Sequence, residues 1–196
     1  MEVGLEYGYI IAAIISASAT IGAVWMKGKL KERKDKVFDY DPNLHSNVVT
    51  ALEFMRRETE ADRVYVLEFH NGEHYFSGRS QQKFSCTYEV VNEGISREVQ
   101  GLQSIRISSM HYLIKDVVDG KTFMCKDVEE FCEDLSFRSF MEMRGIKSMF
   151  ARPIKTLNGK IIGVLVMDFV KEHRKWGINA EGFLKKQARM ISGYLA

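Results

Sequence analysis

The stretch Ser148-Met-Phe-Ala-Arg-Pro-Ile154, Lys155-Thr-Leu-Asn-Gly-Lys160, Ile161-Ile-Gly-Val-Leu-Val-Met-Asp-Phe-Val170 decides the fold. Two runs rich in β-branched and aromatic residues flank Asn158-Gly159. That dipeptide accommodates the positive φ angles of a tight type I′ turn, whose twist matches that of paired strands. The spacing therefore predicts an antiparallel hairpin over 148–170. Pro153 has no N–H to offer a ladder, so it belongs at an edge or a bulge.

Working outward, Asn179 is placed to cap a terminal helix with Leu184, Ala188, Ile191 and Leu195 on one face. Far upstream, Asp41-Pro42-Asn43 interrupts any continuous helix, because proline pushes its predecessor out of the helical region. Asn43 then caps a helix with Leu44, Val48, Leu52 and Met55 at helical spacing. Arg63–Phe69 reads as a strand, Asn71-Gly72 as a turn, and Phe84–Val91 as a second strand. Residues 92–119 are a mixture of short elements. A short strand near 121–126 precedes a helix near 133–144, with Phe137, Phe140 and Met141 on one side. Helices bracketing a strand-rich middle give an α+β class with a central, largely antiparallel sheet and flanking helices.

The N-terminus has a different character. From Tyr7 to Met26 no residue is charged, and Lys27, Lys29, Lys31, Arg33, Lys34 and Lys36 follow. A helix rises ~1.5 Å per residue, so about 20 uncharged residues suffice to cross the hydrocarbon core. Tyr7, Tyr9 and Trp25 lie near the two ends, where aromatic rings favour the headgroup layer. A cleavable signal peptide would need a basic start. Ala17-Ser18-Ala19 offers a cleavage site, but Glu2 and Glu6 precede the apolar run and the basic charge follows it. A buried core helix would show a polar face, which is lacking here. The reading is a transmembrane anchor over 1–26, a basic juxtamembrane linker over 27–43, and one α+β domain over 44–196. The basic flank places that domain on the cytoplasmic side of a bacterial inner membrane, as a single-pass protein. Ala12, Ser16 and Thr20, with Ala19 and Ala23, recur four apart. Such rows of small residues let helices approach closely in lipid, so the anchor is expected to form homo-oligomers.

Composition narrows the function. The 196 residues leave room for one domain beyond the anchor. A net charge of +2, with the basic excess beside the apolar run, leaves no basic stripe for nucleic acid. The basic linker would instead meet anionic membrane lipid. Cys86, Cys125 and Cys132 lack C-x-x-C spacing and are odd in number, so no disulfide framework is expected.

The element order, and above all Arg152-Pro-Ile-Lys-Thr-Leu-Asn-Gly-Lys-Ile-Ile-Gly-Val-Leu-Val-Met-Asp168, resembles the GAF domain family and its final hairpin. The resemblance covers about residues 44–196 and implies a GAF/PAS-like fold with a sensory or ligand-binding role. The N-K-x-x-F-x-x-x-D-E signature of the cyclic-nucleotide-binding members has no counterpart here. His70-Asn71-Gly72 and Phe84–Glu89 also look like GAF-like proteins of tailed bacteriophages. A single anchor before one small domain is similar to the T-even phage holin family. That alternative implies host lysis through an oligomerising anchor, with a soluble domain that receives a protein regulator.

Little in the sequence points to catalysis. His70, Glu73 and His74 suggest a metal site only if a helix carries them, and Asn71-Gly72 argues against one. Cys86 within a strand reads as a small core residue before it reads as a nucleophile. No enzyme activity, cofactor or metal is expected. If the GAF resemblance holds, Phe69, Cys86, Tyr88, Met110, Phe123, Phe137 and Met141 face the space between the sheet and the variable segment. They form either a binding pocket or an ordinary core. The chain stops after its terminal helix without an output domain, so a module acting through a partner is expected.

Overall fold

Alternation along the strands sorts side chains onto two faces of one sheet, and each face is covered by its own layer. The computed structural model describes residues 41–196 except 76, 79 and 175–178. The expected anchor over 1–26, its row of small residues, and nearly all of the 27–43 linker lie outside the described residues. Among the described residues, no helix is long and apolar enough to cross a membrane.

The elements run α1 (Pro42–Thr59), β1 (Arg63–His74), β2 (Ser80–Val91), β3 (Ile105–Arg106), a 3-10 turn (Ile107–Met110), α2 (His111–Val118), β4 (Phe123–Cys125), α3 (Leu135–Glu142), β5 (Ser148–Lys155), β6 (Ile161–Phe169) and α4 (Ala180–Leu195). The strand order is β3-β2-β1-β6-β5-β4. Every neighbouring pair is antiparallel. The α+β class with a central antiparallel sheet is therefore observed.

On one face, Val64, Val66, Phe150, Ile154, Leu165 and Met167 pack beneath α1 and α4. These helices contribute Val48, Leu52, Met55, Leu184, Ala188 and Ile191 at the helical spacing predicted. On the other face, Tyr65, Leu67, Phe84, Met149 and Val166 meet the segment between β2 and β5. α1 leads into β1 and β6 leads towards α4, while β1 starts opposite the end of β6 at the Arg63–Asp168 pair. The two helices are therefore antiparallel, and the start of α1 shares one end of the domain with the end of α4. Asp62 closes the opposite end. Its Oδ2 accepts from the Val170 and Lys171 amides at 2.7 and 2.8 Å.

Local chemistry departs from the sequence reading in four places, one being Asn179, which precedes α4 without a side-chain hydrogen bond to cap it. α1 begins at Pro42, where proline's missing N–H costs nothing, so Asn43 lies inside the helix and is not its cap. β1 runs straight through Asn71-Gly72 to His74, because β2 pairs with it beyond that dipeptide. The turn comes later, where the Gly78 amide donates to the Tyr75 carbonyl at φ +76°. The 148–170 hairpin forms as predicted, but its turn is not type I′. Only Gly159 takes a positive φ, +83°, with its amide on the Thr156 carbonyl. A five-residue loop closed by the Thr156 amide on the Lys160 carbonyl is long enough for an ordinary turn followed by one left-handed glycine. Pro153 pairs with Val164 on one side, while β4 reaches only Met149–Ala151 on the other, so it stands at a local edge.

Candidate functional site

Of the residues expected to face the variable segment, Cys86, Met110, Phe123, Phe137 and Met141 meet in one buried core, with Phe69 packed against it. Phe123, Phe131, Phe137 and Tyr112 stack edge to face, with ring centroids 5.3–6.4 Å apart, and Phe140 lies flat on Phe137. Aromatic pairs at such separations are favourable beyond their buried area. α3, which carries Phe137 and Met141, is set by Asp134, whose carboxylate accepts the Phe137 amide at 3.0 Å. These side chains are the packing of that layer. Tyr88 does not join them. A bulge sets Val66 opposite Tyr88 but Leu67 opposite Cys86, leaving Thr87 as an extra residue. The bulge sends Cys86 and Tyr88 to opposite faces, and Tyr88 packs under α1 beside His45, with ring centroids 5.5 Å apart.

One end of this core holds a buried polar node that residue spacing did not reveal. Arg63 is 2% exposed, yet its guanidinium is engaged all round. Nε donates to the Ser96 carbonyl at 2.9 Å, and Nη1 and Nη2 both donate to the Arg144 carbonyl at 3.2 Å. Nη2 also donates to Ser96 Oγ at 3.2 Å. Glu98 and Asp168 add carboxylate oxygens at 3.6 and 3.7 Å. Glu89 accepts the Glu98 and Val99 amides at 2.8 and 3.2 Å, so two strand residues hold the loop after β2. Arg144 lies over the Phe140 ring at 3.7 Å and beside Glu98 at 3.4 Å. Charged residues at Arg63, just before the apolar run Val64–Leu67, and at Asp168, next to the end of β6, were the available sequence signal.

Electrostatics at the node follow from burial. Asp168 is pushed up to about 7 by burial, against the pull of Arg63 and the hydrogen bond from Tyr65 Oη at 3.3 Å. Burial, reinforced by Glu89 and Asp168, pushes the Cys86 thiol up to about 12. The thiol stays protonated, with its sulfur 3.5 Å from the Tyr88 carbonyl it donates to, which suits a core residue better than a nucleophile.

The open site lies at the other end of the sheet. β1 and β6 pair from Arg63–Asp168 to Glu68–Gly163 and then part. Their closest approach requires Gly163, since a Cβ there would stand 2.4 Å from the Leu67 carbonyl oxygen. Beyond this point a cleft of about 990 Å³ opens between the β1–β2 arm and the β5–β6 tip. Phe69, Ile107, Ile114 and Val117 line it on one side of the sheet, and Ile162 and Leu195 on the other. Glu68, His70, Gln82, Thr156, Asn158 and Lys160 supply its polar side chains. Of the residues expected at a site, Phe69 lines this cleft. His70 Nε2 lies 2.9 Å from Ser85 Oγ, which also accepts the Ser104 amide at 2.9 Å. Among the described residues, no three His, Cys, Asp or Glu side chains are grouped to hold a metal ion.

Comparison with known proteins places this architecture. The family described as the GAF domain matches residues 43–195. No curated protein matches the chain in sequence. Among solved structures, the chain is similar to the blue-light absorbing form of the PixJ GAF domain of Thermosynechococcus elongatus. That match has a TM-score of 0.62 at 16% identity and covers 78% of this chain and 84% of that one. The GAF domain region of a putative membrane protein of Geobacter sulfurreducens gives 0.59 at 14% identity, covering 78% and 93%. Residues 122 to 287 of a methyl-accepting chemotaxis protein give 0.56 at 16% identity, covering 78% and 88%. At these identities the likeness is one of fold.

Proposed function

The chain belongs to the GAF domain family, and from that premise we propose that it is a membrane-anchored, non-catalytic sensory or interaction module. In this reading it binds a protein partner or a small ligand at the cytoplasmic face of a bacterial inner membrane. The observation that carries the reading is the division of labour between the two ends of the sheet. The layer over the sheet is filled by the domain's own aromatic side chains, while the cleft between β1 and β6 is open and carries an apolar patch on each face of the sheet. At the far end of the sheet from the cleft, buried Arg63 and Glu89 are spent on holding the loop after β2, an arrangement suited to transmitting a binding event rather than to turnover.

The anchor rests on the uncharged run Tyr7–Met26 and the basic residues after it. Ala12, Ser16, Ala19, Thr20 and Ala23 are proposed as its self-association face. The test is fractionation of the expressed full chain with alkaline washing, together with a reporter fused after Ala196. The expected result is retention in the membrane and cytoplasmic reporter activity. Recovery in the aqueous fraction would remove the anchor. Periplasmic activity, with abrupt death on adding an energy poison, would favour the holin-type alternative that the small-residue rows also support.

A further inference from the structure

We propose that the cleft between β1 and β6 receives an extended peptide segment of a partner protein, which adds as a strand to the free edge of β1. This deepens the interaction-module reading and rests on it. After Glu68–Gly163 the two strands have no shared ladder, yet both continue as strands. β1 runs on to His74 with β2 alone beside it, and β6 starts at Ile161 with β5 alone beside it. Among the described residues, each wall of the cleft is thus a strand with a ladder partner on one side and none on the side facing the gap. A bare edge presents amide and carbonyl groups in a row, and an extended backbone is the partner that satisfies such a row.

The lining supports the same occupant. Side chains of an extended peptide point alternately to opposite faces of the sheet it joins. The cleft offers an apolar patch on each face, with Phe69, Ile114 and Val117 on one and Ile162 and Leu195 on the other. Its volume of about 990 Å³ lies at the upper limit for a drug-sized ligand, and the site is an open trench. At its rim the tip residue Leu157 is fully exposed and Val118 is 66% exposed, apolar surface that an incoming chain would cover. Glu68 and Lys160 carry opposite signs, so the cleft favours apolar alternation over net charge. The free edge is regular from Phe69 to Asn71 and reaches His74 past a register irregularity, so it offers at most about six residues, or roughly 20 Å at the strand rise, which bounds the length of the segment.

The experiment is selection of random displayed nonapeptides on the full chain in detergent micelles, followed by affinity measurement. Selected peptides are expected to alternate apolar and polar residues and to slow amide exchange at Phe69 and His70. N-methylation of amides of one parity along a selected peptide should weaken binding at least about tenfold, while the other parity has a smaller effect, as expected when one edge is hydrogen-bonded. Val118→Lys and Ile162→Lys should each weaken binding by a similar factor. Val118 is exposed, so that variant keeps its unfolding transition. Equal loss for both parities, unchanged affinity in both variants, protection on the α1–α4 face instead, or no peptide selected would each overturn strand addition. The anchor and topology tests fail or succeed independently of these outcomes.

Discussion

Arg63 and Asp168 stand opposite one another on β1 and β6, and their nearest charged atoms stop 3.7 Å apart. That gap is too long for a strong hydrogen bond. Arg63 gives its shorter bonds to the carbonyls of Ser96 and Arg144 instead. The node holds the carboxyls of Glu89, Glu98 and Asp168 against the guanidinium groups of Arg63 and Arg144, so the acids outnumber the bases. Asp168, 1% exposed and served by one hydrogen bond from Tyr65, is where the excess falls.

Asp168 should therefore make folding stability depend on pH. Its folded pKa of about 7 lies above the ordinary 3.8. The contribution is fully present below 3.8 and is lost as pH rises through 7, because the folded chain binds the proton more tightly. Asp168→Asn is expected to flatten this slope and to exceed the parent chain in stability at about pH 8, by on the order of a few kcal/mol. Denaturant midpoints measured across the window decide it. Parallel pH profiles for parent and variant would falsify the assignment.

Removing the hub should cost more than removing the acid. Arg63→Met leaves the Ser96 and Arg144 carbonyls and the nearby acids without their donor, an expected loss of roughly 3–5 kcal/mol. Amide exchange in residues 96–99 should accelerate, since that loop is held by Arg63 and Glu89. A midpoint unchanged from the parent chain contradicts the role given to Arg63.

Two glycine substitutions should move stability in opposite directions. Gly163→Ala drives a methyl group into the Leu67 carbonyl and is expected to cost roughly 1–3 kcal/mol. Gly182→Ala, in α4 with nothing within 4 Å of its Cβ position, should stabilise by roughly 0.5–1 kcal/mol through helix propensity. Melting temperatures of the pair provide the check.

Phe137→Ala should excavate the aromatic layer. Phe137 is fully buried and stacks with Phe123, Phe131 and Phe140. The expected loss is roughly 3–5 kcal/mol. The resulting apolar cavity should take up a benzene-sized molecule, which would raise the variant's melting temperature but not the parent's.

The sequence was most informative where local rules act alone. The hairpin at 148–170, the faces of α1 and α4, and a short strand expected near 121–126 and found at Phe123–Cys125 were all legible from local pattern. Failures arose where tertiary pairing outweighs local preference. Asn71-Gly72 resembles a turn but is drawn into β1 by its partner strand, and a single bulge at Thr87 reverses the face of Tyr88. Neither the pairing nor the bulge leaves a mark in one sequence. The site was harder still, because the cleft is a place where a ladder stops, and such a lapse belongs to no residue type.

The antiparallel helix pair brings the first turn of α1 and the last turn of α4 to one pole, and Leu195 lines the cleft there. A wedge driven between the arm and the hairpin tip would press on that final turn and, through the packed pair, on the first turn of α1, so filling the cleft would be felt across a whole pole of the domain.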